Sequence, residues 1–90
     1  MEEETNNPKN VDEWIELAGQ ASEEGDTEKA REYLLNAVNA DPENAQAWSA
    51  LSVFAKSRDE AIHALEKVLE LQPGYKGAAE RLELLEKMLD

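Results

Sequence analysis

The chain has no cysteine, one histidine, three prolines, and nine basic side chains against 21 acidic ones. Without cysteine there are no disulfides, thiolate metal sites or cysteine nucleophiles, and cysteine usage says nothing of redox compartment. With a single histidine, His63, a metal site would need carboxylates alone. No apolar run approaches the roughly 18 residues that a membrane span requires. Glycine-rich phosphate loops, EF-hand loops and nucleophile elbows are also missing from the sequence. The scarcity of positive charge leaves a formal net charge of −12. A field of that sign repels nucleic-acid phosphates and anionic lipid, and suits a basic partner. The acidic opening Met1-Glu2-Glu3-Glu4-Thr5-Asn6-Asn7-Pro8 is the opposite of a secretory leader, so a cytoplasmic location is expected.

Ninety residues with 41% hydrophobic side chains make one small soluble domain. A chain this short buries only about 60–65% of its unfolded surface, so its core is thin. No cofactor and no enzymatic activity are expected. Glu2-Glu3-Glu4 and Glu23-Glu24 read as solvated faces rather than a buried acid/base pair, and His63 reads as a surface residue.

Residues 1–9 carry no periodicity and read as a flexible acidic tail, ahead of a single domain over residues 10–90. Asn10 and Glu13 have capping-box spacing, opening a helix that runs to about Glu24. Gly25-Asp26 makes a tight turn, and Asp26 or Thr27 caps a second helix ending near Ala40. Asp41-Pro42 suits the cap and first position of a third helix, extending from Pro42 to about Lys56. Ser57-Arg58-Asp59-Glu60 is a second capping box, starting a fourth helix at Arg58 with almost no loop before it. Gln72-Pro73-Gly74 stops that helix near Leu71, and a fifth runs from about Tyr75 to Leu89. Five helices without a strand candidate predict an all-α antiparallel stack.

An internal repeat organises the five helices. Trp14 and Trp48, Leu17 and Leu51, and Ala21 and Ala55 are each 34 residues apart. In residues 11–44 the signature positions hold Trp14, Leu17, Ala18, Ala21, Ala30, Leu34, Ala37 and Pro42. This pattern resembles the tetratricopeptide-repeat family, which prefers Trp, Leu, Gly, Tyr, Ala, an aromatic, Ala and Pro there. Residues 45–75 offer Trp48, Leu51, Ser52, Ala55, Ala61, Leu65, Val68 and Pro73. Their Trp-to-Ala interval is 13 residues against 16 in the first repeat, so three residues are missing, and the expected place is the inter-helix turn, where the first repeat has Gly25-Asp26. The resemblance implies a solenoid of antiparallel helix hairpins: repeat one over 11–44, repeat two over 45–75, and a closing helix over 75–89. On that closing helix Ala78, Leu82, Leu85 and Leu89 form one stripe. Glu83 and Glu86 fall where a following helix would pack, which favours solvent and an end to the solenoid.

The resemblance further implies a protein–protein interaction module holding a peptide or partner segment in a concave groove. The groove positions would be Asp12, Ile15, Gly19, Ser22 and Glu23 in the first repeat. In the second they would be Gln46, Ser49, Val53, Lys56 and Ser57, and on the last helix Leu84 and Met88. Ile15, Val53, Leu84 and Met88 could form a shallow apolar lane for a hydrophobic segment or amphipathic helix. Leu84 and Met88 could equally widen the last helix's packing face. Some relatives grip a C-terminal carboxylate with side-chain donors, but the first such positions here are Ile15 and Gly19, which have none. Tyr33 and Leu35 occupy positions the family leaves partly exposed, a possible convex or self-association surface. A monomer or weak homodimer is expected. Two other roles fit the composition: an acidic inhibitor mimicking nucleic-acid charge, and a self-associating scaffold.

Overall fold

The computed structural model describes residues 10–88. It is an all-α solenoid of antiparallel hairpins with five helices: α1 Val11–Glu23, α2 Thr27–Ala40, α3 Ala45–Val53, α4 Arg58–Leu71 and α5 Ala78–Lys87. The acidic tail of residues 1–9 and Leu89 of the expected stripe lie outside the described residues. No helix among those described is long and apolar enough to cross a membrane.

Each of the first four helices begins on a side-chain acceptor that satisfies an orphan backbone donor. Asn10 Oδ1 accepts from the Glu13 N–H at 2.9 Å while Glu13 Oε1 accepts from the Asn10 N–H at 3.1 Å, a complete capping box. Asp26 accepts from the Lys29 N–H at 3.0 Å, after Gly25 turns the chain at φ 83°. Two expected starts move. Asp41 terminates α2, its N–H reaching the Ala37 carbonyl at 2.9 Å, and Asn44 caps α3 by accepting from the Ala47 N–H at 2.9 Å. Pro42 therefore sits in a turn, and its carbonyl accepts the Trp48 indole N–H at 2.7 Å. Tyr75 is likewise in a turn, because Gly77 adopts a left-handed φ of 82° that no helix interior can hold, so α5 starts at Ala78.

The second hairpin is a net three residues shorter, with four fewer in its first helix and one more in the connector. α3 has 9 residues where α1 has 13, and residues 54–57 link α3 to α4 where residues 24–26 link α1 to α2. Two antiparallel helices need a connector to reverse direction, so α3 stops one turn early. Ser57 still caps α4, accepting from the Glu60 N–H at 3.1 Å. Glu60 does not close the expected box. Its Oε1 instead accepts from the Lys56 N–H at 2.8 Å and from Arg31 Nε on α2 at 3.0 Å, and its Oε2 pairs with Arg31 Nη2.

Helix contacts run α1 with α2, α2 and α1 with α3, α3 with α4, and α4 with α5. Of the 14 buried apolar residues among those described, nine are alanines (18, 21, 30, 37, 45, 47, 61, 64 and 78), so the helices approach closely. Leu34, Leu65 and Val68 are the largest fully buried side chains. One cluster gathers Ala18, Ala21, Leu34, Ala37 and Leu51, and a second gathers Ala45, Leu65, Val68 and Ala78. Trp48 packs on both. Tyr33 and Leu35 are half-buried against the first cluster, and the Tyr33 ring lies 5.7 Å from that of Trp14. They are therefore packing residues of the first hairpin.

Leu65→Ala should lower stability by about 2–5 kcal/mol, and Ala37→Leu by about 1–3 kcal/mol through overpacking, both read from urea unfolding. The Glu60 carboxyl is held below its ordinary value of 4.5, first by the hydrogen bond from Arg31 and then by that from the Lys56 N–H. A depressed carboxylate stabilises the fold above its unfolded value and loses that contribution as pH falls through the folded one. Glu60→Gln should therefore cost about 1 kcal/mol at neutral pH, as for a bidentate partly exposed pair. In urea titrations the gap between variant and parent should close well below pH 4.5.

Candidate functional site

The shortened α3 leaves part of α5 without a facing helix, and a cleft of about 360 Å³ opens there. It is lined by Ser52 and Val53 from α3, Ala61 from α4, and Arg81, Leu84, Leu85 and Met88 from the end of α5. The large apolar side chains that stay exposed among the described residues are Val53 at 61%, Leu84 at 61% and Met88 at 65%. All three line this cleft. Single exposed apolar residues are ordinary, but three converging on one concavity are not.

The cleft has a fixed frame. Ser52 is buried and its hydroxyl donates to the Ser49 carbonyl at 2.6 Å. The same oxygen accepts from Arg81 Nη2 at 2.8 Å, which ties α5 to α3. Arg58 Nη1 donates to the Met88 carbonyl at 3.0 Å, which ties the end of α5 to the start of α4. Leu85 is half-buried and rests on the second cluster, so one wall is part of the core.

The remaining expected groove residues are dispersed. Asp12, Gly19 and Gln46 are exposed, and Ser22 and Ser49 are half-buried. Ile15 is half-buried against the first cluster and contributes to packing. Lys56 and Ser57, expected on the third helix, fall in the linker because α3 ends at Val53. Sequence reasoning missed Arg81, although a signal existed: it lies three residues after Ala78 and four before Leu85, a cation on the apolar stripe.

Charge is divided unevenly along the chain. Residues 10–44 hold ten acidic and two basic side chains, whereas residues 45–88 hold seven and six. Ion pairs among the described residues are Arg31–Glu60, Lys67–Glu70 at 3.1 Å and Lys87–Glu83 at 3.7 Å. Among the same residues, no three His, Asp or Glu side chains converge as metal ligands. His63 is exposed, edge-on to Trp48 with ring centroids 5.9 Å apart.

If Leu84 and Met88 serve a surface rather than the core, Leu84→Asp and Met88→Gln should each shift stability by no more than about 0.5 kcal/mol. Leu85→Ala, on the packed wall, should cost about 1–2 kcal/mol, part of the full-burial value. Urea unfolding of the three variants separates the two roles.

Residues 11–54 match the family model described as Tetratricopeptide repeat. The match covers the first hairpin and α3, and it ends on the residue after α3, where the second hairpin departs from the first. No curated protein matches the chain. Repeats of this family are generally protein–protein interaction modules.

Proposed function

For a chain whose residues 11–54 match the tetratricopeptide-repeat family model, we propose a non-enzymatic adaptor role in which a partner segment is held along the concave side. The observation that carries this reading is the convergence of Val53, Leu84 and Met88 on one framed cleft. An apolar side chain of a partner peptide or amphipathic helix would enter there and shed water against Leu85 and Ala61. Met88 supplies an adaptable wall, since an unbranched thioether side chain refits to different shapes. Asp12, Ile15, Gly19, Ser22, Gln46 and Ser49 would border the rest of the lane. A charge-mimicking inhibitor would have no use for such a cleft, which is why the adaptor reading is preferred.

The Val53→Asp, Leu84→Asp double variant tests this, because both side chains are mainly exposed. On affinity resin loaded with extract of the native source, the parent should retain one or more proteins that the variant releases, with both showing the same unfolding midpoint. An identical set of retained proteins would sink the proposal.

A further inference from the structure

The cleft and the charge distribution together define the partner's chemistry more narrowly. We infer that the bound segment has an apolar, non-basic end seated in the α3–α5 cleft and a basic end lying over α1. This rests on the groove reading above and adds a polarity to it.

Two sets of unpaired charges carry the argument. At the α1 end, the groove positions Asp12 and Glu23 are exposed and form no ion pair among the described residues. They belong to the half of the chain with ten acidic and two basic side chains. At the cleft end acid and base nearly balance over residues 45–88, and the charged side chain in the cleft lining is Arg81. Arg81 is held by the Ser52 hydroxyl and Arg58 by the Met88 carbonyl, both neutral acceptors. Neither has a carboxylate partner within ion-pair distance among the described residues. A basic residue in the cleft would face Arg81 beside apolar walls, whereas one over α1 would meet unpaired carboxylates. A segment laid the other way loses both terms. Because the acidic half attracts cations at a distance, the basic end should also dock first.

A random-peptide library displayed on phage and selected against the full chain tests the polarity. Enriched sequences should separate an apolar cluster from a Lys/Arg cluster. Synthetic copies should lose about 30-fold in affinity against Leu84→Asp, the factor of a strong hot-spot truncation. They should lose about tenfold against the Asp12→Lys, Glu23→Lys variant, with the loss shrinking as salt rises. Glu28→Lys, Glu32→Lys makes the same change in net charge on α2 and should leave affinity nearly unchanged. Peptides that need Leu84 but lack a basic cluster, or ignore reversal at Asp12 and Glu23, would overturn the polarity and leave the groove reading standing. An equal loss for the α2 reversal would overturn it too, reducing the effect to net charge. Peptides indifferent to Leu84→Asp, or no enrichment, would overturn the groove reading and this inference together.

Discussion

Close approach of helices through alanine is the constraint on which the structure depends. With nine alanines among the 14 buried apolar residues of the described chain, the axes can sit near one another, but little large side-chain volume is left to bury. Leu34 fills the first hairpin, and Leu65 and Val68 the second. Ala47 and Leu51 of α3 join the first cluster, and Trp48 touches both clusters while anchoring its indole N–H on the Pro42 carbonyl. A large ring with one satisfied polar atom can span a gap that alanines cannot.

From that tight packing follows the importance of the lost turn. A full-length α3 would extend beyond Val53, along the side where Leu84 and Met88 now stand exposed. The four-residue linker instead turns Phe54 back onto the first cluster and delivers Ser57 as a cap. Glu60, freed from a reciprocal box, serves the Lys56 N–H and Arg31 together. One shortening thus accompanies both the cleft and the cross-repeat ion pair between Arg31 and Glu60.

Much of this was legible in the sequence. The 34-residue spacing of Trp14 with Trp48 and of Leu17 with Leu51 reports the period of the stack, since each repeat must present the same residues to its neighbour. Asn10, Asp26 and Ser57 announced their helices through local capping chemistry. The family resemblance put Val53, Leu84 and Met88 among the expected groove positions, and these three line the cleft. The illegible parts were those settled by contacts distant in sequence or by competing local signals. Asp41 and Asn44 are both good caps, and only the turn between them decides which helix each serves. Lys56 was placed on a helix because the period counts residues without showing whether a deletion shortens helix or loop. Arg31 and Glu60 are 29 residues apart, and nothing local marks them as partners.

That separation recurs. Arg31 to Glu60, Ser52 to Arg81 and Arg58 to Met88 span 29, 29 and 30 residues, close to one repeat length in each case. Each of these three ties joins a unit to the next one along, so the described residues form a short zipper of nearest-neighbour couplings. Such a zipper frays from its ends: α5 can peel away while α1 and α2 stay paired, and the reverse. Whatever steadies α5 against α3 also quiets that fraying. An occupied cleft would slow amide hydrogen exchange first in α5, then in α3 and α4, and least in α2.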